Sequence, residues 1–213
     1  MGLARIRDLM FSESAAPISR LNEISGPWET TNPQPSPPSS SLAMASRENE
    51  EDSLGNVLVV GGCGFLGHHL VALILDQYPK SKVSAIDLRT TRNRLVGVSY
   101  HDCDITDSSL VANIFSETKP DVVMHTASAL PDLQKNKELT WRVNVDGTHN
   151  LLKAAQESGV KAFVYTSSAS VIQGTENEYH NVDEKWPVII GDQQPEYYTN
   201  TKVGGYIGVK KKK

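Results

Sequence analysis

A glycine-rich loop that directly follows a short apolar run restricts the fold of this chain more than any other feature. The run from Val57 to Val60 is apolar and mostly β-branched, which is typical of a strand buried on both faces of a sheet. The segment from Phe65 to Tyr78 has helical character and stops before Pro79. Glycine recurs at every third position of the loop, at Gly61, Gly64 and Gly67. The pattern predicts a strand, a tight turn and a helix, the unit from which parallel α/β sheets are built.

The same loop predicts a dinucleotide-binding site. In such loops the first glycine allows a tight turn, the second lets the backbone approach a pyrophosphate, and the third lets the helix pack on the strand. The N-terminus of the following helix offers N–H groups and a partial positive charge to the phosphates. A simple turn is the alternative, but the flanking strand and helix favour nucleotide binding. The residues that we expect to line the cofactor are Gly61, Gly62, Cys63, Gly64, Phe65, Leu66 and Gly67.

Asp87 favours NAD as the cofactor. It ends the next predicted strand, twenty residues after Gly67, where a carboxylate can accept hydrogen bonds from both ribose hydroxyls. A carboxylate at this position would repel the 2′-phosphate of NADP. Arg89 and Arg92 lie close enough in sequence to accommodate that phosphate, so NADP is the alternative cofactor. Capping of a turn is the structural alternative for Asp87.

Strands and helices alternate along the rest of the chain. Apolar runs predict strands over residues 83–87, 121–126 and 161–166. Helical patterns cover residues 107–118, residues 138–158 and the segment from Tyr197 onward. We therefore predict an α/β fold, a Rossmann-like, doubly wound parallel sheet with helices on both faces. The long middle helix is expected to turn one face to the core, formed by Trp141, Val145, Thr148, Leu152 and Ala155.

A tyrosine and a lysine four residues apart, Tyr198 and Lys202, carry the predicted catalytic chemistry. This spacing places both side chains on one face of a helix, so the ammonium can lie near the phenol. A phenol has an unperturbed pKa of about 10, and nearby cations favour its anion, which makes Tyr198 a usable base for a substrate hydroxyl. Lys202 would also hydrogen-bond the nicotinamide ribose. Ser168, in the serine cluster after the fourth predicted strand, would hold the substrate oxygen.

Six short motifs are spaced as they are in one known family: Gly61-xx-Gly64-xx-Gly67, Asp104-Ile105, His125-Thr-Ala-Ser128, Asn144-Val-Asp-Gly-Thr148, Tyr165-Thr-Ser-Ser168 and Tyr198-xxx-Lys202. Together they resemble the extended short-chain dehydrogenase/reductase family, and within it the 3β-hydroxysteroid dehydrogenase branch. Inside that branch, residues 56–67 and 87–91 are most similar to the fungal sterol-4α-carboxylate 3-dehydrogenases (decarboxylating).

The resemblance implies roles for further residues. Asp104 and Ile105 would flank the adenine of the cofactor. Asn144 would fix the backbone of the active site near Lys202, and Ser168 is preferred to Ser167 because it precedes an alanine. At the end of the third predicted strand, three residues would line the cofactor: Thr126, Ala127 and Ser128.

The resemblance also implies a reaction and a location. The reaction is oxidation of the 3β-hydroxyl of a 4α-carboxysterol in sterol (ergosterol) biosynthesis. The product is a β-keto acid, whose carboxyl group can leave because the new carbonyl accepts the electrons as an enolate. Full-length relatives associate with the membrane and with other enzymes of sterol C4 demethylation, so the cytoplasmic face of the endoplasmic reticulum membrane is the expected location. Another extended short-chain enzyme, such as a nucleotide-sugar epimerase or dehydratase, is the alternative.

Composition argues against several other classes of protein. The formal net charge of −4 gives no electrostatic basis for binding nucleic acid. Cys63 and Cys103 are the two cysteines, which suits a reducing compartment and predicts neither a disulfide framework nor a metal site. No stretch reaches the roughly 18 consecutive apolar residues of a membrane span.

The two ends of the chain differ from its middle. Residues 1–53 combine a proline-rich polar stretch with an acidic run, so we predict a disordered N-terminal extension before an NAD(P)-binding Rossmann domain at 54–213. After Lys202 the chain continues with three glycines and four terminal lysines, where family members continue into a substrate-binding region. We therefore expect that region to be missing, the last helix to shrink to about one turn, the sheet edge beside it to be exposed, and this chain to be inactive alone. A non-catalytic cofactor-binding fragment is the corresponding alternative function.

Overall fold

The computed structural model describes residues 53–129, 136–173, 182–183, 186–194 and 196–210. The predicted disordered extension, apart from Ser53, lies outside these residues, and its disorder stays a prediction. Within the described residues, five strands form one fully parallel sheet: β1 (Asn56–Val60), β2 (Lys82–Asp87), β3 (Val98–Asp102), β4 (Val122–His125) and β5 (Ala162–Tyr165). The strand order is β3-β2-β1-β4-β5, so the chain reverses its direction of travel across the sheet at β1. This order confirms the predicted doubly wound Rossmann-like sheet.

The helices follow the strands as the sequence predicts. Five of the helices in the described part of the chain are α-helical: α1 (Phe65–Gln77), α2 (Ser108–Thr118), α3 (Lys137–Trp141), α4 (Thr148–Glu157) and α5 (Tyr197–Lys210). Asp107 caps α2 by accepting hydrogen bonds from the backbone N–H groups of Ser109 and Leu110. Gly159 follows α4 with φ of +70°, as expected just past a helix C-terminus. Within the part of the chain that the structure describes, no helix is both long enough and apolar enough to cross a membrane.

The central strand β1 is buried on both faces. Successive residues of a strand point to opposite faces of the sheet, and Val57, Leu58, Val59 and Val60 are all buried. Leu58 and Val60 belong to the hydrophobic core that the sheet shares with α2 and α4. The uninterrupted apolar run of β1 therefore reflects coverage of both faces.

The edge strand β3 was missed by the sequence analysis. Its five residues, Val-Ser-Tyr-His-Asp, are partly or fully exposed, and only one of them is aliphatic. It pairs in parallel with β2, with Val98 beside Val83 and Asp102 beside Asp87. The polar composition of β3 did not predict a strand, because an edge strand needs neither two apolar faces nor a continuous apolar run.

The predicted helix over residues 138–158 contains a π-helical segment, Arg142–Gly147, between α3 and α4. The expected inward face is correct for Val145, Thr148, Leu152 and Ala155, which are buried, but wrong for Trp141, which is 41% exposed. Thr140, one position earlier, is buried instead. A π turn holds one more residue than an α turn, so it shifts the inward position upstream by one.

The expectation that α5 would shrink to one turn is wrong. The helix runs for fourteen residues from Tyr197 to Lys210, through all three glycines. A β-carbon on Gly204 would lie 2.9 Å from Cγ2 of Val145, and one on Gly208 would lie 2.6 Å from Nε2 of His149. The glycines thus let α5 lie directly against the π segment and α4, and this packing offsets their low helix propensity. In the described residues the outer edge of β5 has no strand partner, as expected.

Candidate active site

The predicted site residues gather at the carboxyl edge of the parallel sheet. The glycine loop follows β1, Asp87 ends β2, Thr126 begins the segment after β4, and Ser168 lies shortly after β5. The first two segments are joined directly, because the backbone N–H groups of Gly61 and Gly62 donate to the carbonyl oxygen of Ile86 at 2.8 and 3.2 Å. The fold therefore brings together residues that are more than a hundred positions apart in sequence.

The glycine loop has the shape of a phosphate cradle. Gly61 has φ of +81°, and a β-carbon there would lie 2.7 Å from the backbone nitrogen of Ala127. A β-carbon on Gly67 would collide with the carbonyl oxygen of Gly61. Gly64 caps α1 in an extended conformation, which leaves the first N–H groups of the helix directed towards the loop. Close approach of backbone segments thus requires glycine at positions 61 and 67, and the free N–H groups at the start of α1 fit a bound pyrophosphate.

Asp87 supports the loop from the end of β2. Its carboxylate accepts hydrogen bonds from the backbone N–H groups of Cys63, at 3.1 Å, and Leu88, at 2.8 Å. The partly exposed side chain has the capping role that was the structural alternative, and each oxygen keeps a lone pair for a ribose hydroxyl. Burial, with a smaller contribution from the charge of Asp87, raises the pKa of the Cys63 thiol. A role of Arg89 and Arg92 in holding the phosphate of NADP stays a prediction.

The other predicted cofactor residues differ in whether their side chains are exposed beside the loop or buried in the core. Phe65 and Leu66, at the start of α1, are exposed beside the loop. Asp104 is exposed and accepts from the N–H of Thr106 at 2.9 Å, whereas Ile105 is buried in the core against Gly147. The Ile105 side chain is thus part of the core rather than of the cofactor edge.

The segment after β4 is anchored to β1 and to the π segment. Thr126 donates from its backbone and its hydroxyl to the carbonyl oxygen of Val60, at 2.9 and 2.8 Å. The N–H of Ala127 donates to the same oxygen at 3.1 Å. The hydroxyl of Ser128 donates to Oδ1 of Asn144 at 3.2 Å. These bonds hold all three predicted residues beside the glycine loop.

A chain of hydroxyl groups connects Ser168 to the tyrosine helix. The Oγ atoms of Ser168 and Ser170 are 2.7 Å apart, and Thr199, next to Tyr198, donates to Oγ of Ser170 at 3.2 Å. Ser168 also caps the short 3₁₀ turn Ala169–Ile172. Ser167 has a buried hydroxyl without a partner among the described residues. The two serines are thus in different settings, and Ser168 is the one linked to α5.

Lys202 is enclosed at the carboxyl end of β5. Only 3% of it is exposed, and its Nζ donates to the carbonyl oxygen of Thr166 at 2.7 Å. Burial lowers the pKa of its ammonium group to about 8. Tyr198 lies one helical turn earlier and is partly exposed, and its charge contributes to the raised pKa of Tyr165. The ring of Tyr165, to which the sequence assigned no role, is in contact with Lys202, with Nζ 4.7 Å from the ring centroid.

His125 and Thr148 form a buried pair beneath this group. The Thr148 hydroxyl donates to the carbonyl oxygen of Asn144 at 2.7 Å, so it accepts from Nε2 of His125 at 3.0 Å. Burial, with a smaller contribution from the charge of Lys202, lowers the pKa of His125 to about 3. A neutral histidine whose Nε2 is hydrogen-bonded to Thr148 agrees with a structural role for His125 in the core beside the site. Among the described residues, no group of histidine, cysteine and carboxylate side chains could hold a metal ion.

The chain is similar to steroid and sterol dehydrogenases. It is 36% identical over 143 residues to the sterol-4-alpha-carboxylate 3-dehydrogenase (decarboxylating) of Saccharomyces cerevisiae, covering 63% of this chain and 40% of that protein. It is 37% identical over 158 residues to the 3 beta-hydroxysteroid dehydrogenase/Delta 5→4-isomerase of Mycobacterium tuberculosis, covering 70% and 40%. The chain thus spans about 40% of the length of these relatives.

Solved structures and a family model agree with this similarity. The Thermus thermophilus UDP-glucose 4-epimerase in complex with NAD has a TM-score of 0.64 and 29% identity, covering 72% of this chain and 49% of that one. The model of the 3-beta hydroxysteroid dehydrogenase/isomerase family matches residues 58–205, which include the glycine loop, Ser168, Tyr198 and Lys202. The chain therefore belongs to the 3-beta hydroxysteroid dehydrogenase/isomerase family, within the extended short-chain dehydrogenase/reductases.

Proposed function

We propose that this chain carries the cofactor-binding and proton-transfer parts of an NAD-dependent dehydrogenase that oxidises the 3β-hydroxyl of a 4α-carboxysterol. The observation that carries the proposal is the buried ammonium of Lys202 on the Thr166 carbonyl, one helical turn after Tyr198, at the sheet edge that also holds the glycine cradle and Ser168. Similarity to the yeast sterol-4-alpha-carboxylate enzyme supports the substrate class.

The residues divide the chemistry among them. Bound NAD would accept a hydride from C3 of the substrate. Tyr198, as the phenolate, takes the proton of the 3β-hydroxyl, and the Ser168 hydroxyl donates a hydrogen bond to the same oxygen. The positive charge of Lys202 favours the phenolate of Tyr198. The pKa of Lys202, about 8, keeps most of this charge at neutral pH.

Loss of the carboxyl group needs no further catalytic residue. Oxidation at C3 makes the C4 carboxylate β to a ketone. The C4–carboxyl bond then breaks, CO₂ leaves, and its electron pair passes into the enolate of the new ketone. Protonation at C4 completes the reaction, so the protein has to supply only the oxidation step and a site that orients the sterol.

The cofactor and the cellular setting are parts of the same proposal. The Asp87 carboxylate, which lies against the glycine loop, favours NAD over NADP, and NADP is the comparison cofactor because Arg89 and Arg92 follow it closely in the sequence. The proposed location is the cytoplasmic face of the endoplasmic reticulum membrane, beside the other enzymes of sterol C4 demethylation. This setting is the one implied by the resemblance of the sequence motifs to that family, and the similarity to the yeast relative supports the family alone.

The test uses the full chain with NAD and a 4α-carboxysterol. Binding of NAD is measured by calorimetry, NADH formation by absorbance, and the decarboxylated ketone by mass spectrometry. NADH formation would contradict the expectation that this chain is inactive alone, and Tyr198→Phe should abolish it while keeping NAD binding. Tyr197→Phe is the matched control, because Tyr197 is the neighbouring phenol and lies beside Lys137 instead, with Nζ 5.4 Å from the ring centroid. Equal loss in both variants would contradict the assignment of Tyr198.

A nucleotide-sugar epimerase is the second candidate, and the likeness to the Thermus thermophilus epimerase favours it. Turnover of a UDP-hexose without net NADH release, and no oxidation of any 3β-hydroxysteroid, would select it over the sterol reaction. NAD binding without turnover of either substrate would instead select the non-catalytic cofactor-binding fragment.

A further inference from the structure

The Lys202 ammonium lies in a buried setting with no carboxylate partner among the described ion pairs. Its Nζ has one hydrogen-bond acceptor there, the carbonyl oxygen of Thr166 at 2.7 Å. The second contact is the ring of Tyr165, whose centroid is 4.7 Å from Nζ. An aromatic face within about 6 Å attracts a cation through the ring quadrupole, and the attraction grows when the cation is removed from water.

Apart from the Tyr198 phenol, which is the phenolate of the proposed reaction, the titratable groups around Lys202 supply no negative charge. From β4, His125 is neutral because its pKa is about 3, and its ring centroid lies 5.5 Å from that of Tyr165. From β5, burial and the charge of Tyr198 raise the pKa of Tyr165, so its phenol stays protonated. From α5 itself, Tyr198 is the substrate-side phenol. While Tyr198 is protonated, one carbonyl dipole and one ring face are therefore what compensate the charge.

Tyr165 is also fixed against the backbone that carries Lys202. Its hydroxyl donates a long hydrogen bond, 3.5 Å, to the carbonyl oxygen of Lys202. The same hydroxyl occupies the space where a β-carbon on Gly205 would be. The ring is thus held in place by α5 on one side and His125 on the other, which makes it a rigid surface for the ammonium.

We propose that Tyr165 is the positioning residue for Lys202, and that its ring face holds the ammonium on the Thr166 carbonyl at the carboxyl end of β5. The inference rests on the proposed function for the purpose of Lys202, but the contact itself can be measured without cofactor or substrate. It assigns a role to the tyrosine of the Tyr165-Thr-Ser-Ser168 motif that comes from its π face, because its hydroxyl remains protonated.

The test is an NMR titration of Lys202 in the full chain labelled with ¹³C at the lysine Cε, with Lys202→Met used to assign the signal. Tyr165→Phe keeps the ring face, so the pKa of Lys202 should stay within a few tenths of the wild-type value. Tyr165→Leu removes the face, so the pKa should fall by about one unit. Phe163→Leu is the control from the same strand, since the Phe163 ring lies 6.3 Å from the His125 ring and belongs to the core.

A second series guards against a Tyr165→Leu variant that fails to fold. Phenylalanine at position 165 is replaced by analogues with one, two and three ring fluorines, which keep the shape of the ring and weaken its negative face. The pKa of Lys202 should fall stepwise along the series. A pKa that is constant across it, or equal in Tyr165→Phe and a folded Tyr165→Leu, would overturn the proposal. Because the titration needs no turnover, its failure is distinguishable from failure of the sterol reaction.

Discussion

The side-chain amide of Asn144 donates from Nδ2 to Oγ1 of Thr201 at 2.9 Å, one residue before Lys202. Its Oδ1 accepts from the backbone N–H of Ala129 at 2.8 Å. One buried amide therefore joins the π segment, the segment after β4 and α5. The relative position of the predicted cofactor edge and the Tyr198–Lys202 pair depends on this side chain.

Replacing Asn144 should remove the hydrogen bonds that connect these three segments and destabilise the fold. Asn144→Ala leaves the N–H of Ala129 buried without its acceptor, so we expect the free energy of unfolding to fall by about 2–3 kcal/mol. Asn150→Ala is the control, since the Asn150 amide also donates to backbone carbonyls, those of Ile105 and Thr106, away from α5. Chemical denaturation gives both values. NAD affinity should fall in Asn144→Ala alone. An equal loss of NAD affinity in Asn150→Ala would contradict the role of Asn144 in holding α5 beside the cofactor edge.

Two substitutions in the glycine loop should differ in their effects on stability and on cofactor binding. An alanine at Gly67 collides with the Gly61 carbonyl, so Gly67→Ala should lower the free energy of unfolding by about 2 kcal/mol or more and abolish NAD binding. A β-carbon on Gly64 lies 3.2 Å from the same oxygen, so Gly64→Ala should cost under about 1 kcal/mol. It should nevertheless weaken NAD binding about tenfold, because it stands in the path of the pyrophosphate. Thermal unfolding and calorimetric titration with NAD measure the two effects. Unchanged NAD affinity in Gly64→Ala would refute the prediction that the pyrophosphate binds at this loop.

The buried ammonium of Lys202 should make stability depend on pH. Its pKa is about 8 in the fold and 10.5 in the unfolded chain, so between these values the unfolded chain binds more protons and stability rises with pH. Lys202→Met removes the buried charge, so it should exceed the wild type in stability by about 2 kcal/mol at pH 7. That advantage should vanish as pH approaches 10.5.

The control for this pH dependence is Lys153→Met, because the Lys153 side chain is 69% exposed. Denaturation at a series of pH values should show a flat difference between Lys153→Met and the wild type. A flat difference for Lys202→Met as well would mean that the lysine is not buried as a cation.

Close packing of α5 against β5 should appear as coupling between Gly205 and Tyr165. Gly205→Ala should destabilise the fold by about 1–3 kcal/mol despite the better helix propensity of alanine, because the added methyl meets the Tyr165 hydroxyl. Tyr165→Phe removes that hydroxyl and should recover about 1 kcal/mol in the double variant. Gly204→Ala faces Val145 instead, so Tyr165→Phe should not rescue it. Identical coupling in both double-mutant cycles would refute the contact.

The parts of the fold that the sequence predicted are those governed by local rules. β1 was visible because burial on both faces demands an unbroken apolar run, and the turn after it because Gly61 needs a positive φ. The pairing of Tyr198 with Lys202 followed from helical spacing alone. Their convergence with Ser168 followed from the parallel sheet, whose carboxyl ends share one edge.

What the sequence did not predict depends on contacts between distant segments. Glycine at position 205 looks unfavourable in a helix until Tyr165, forty positions earlier, is placed against it. β3 is a strand because it pairs with the edge of β2, and not because its residues have a high strand propensity. Tyr165 itself fits an ordinary strand pattern, and only the folded chain brings Lys202 over its ring.

The single extra residue of the π segment acts as a phase offset between two halves of one continuous helix. Removing one residue from Arg142–Gly147 would let a regular α-helix form in which Thr140 still faces the core, because the interval from Thr140 to Val145 would shorten from five residues to four. Winding the unshortened segment as a regular α-helix would instead turn α3 relative to α4 and bring Trp141 inward. A relative one residue shorter here would therefore present equivalent side chains to the core at positions offset by one, and substitutions cannot be transferred across this point by counting along the helix.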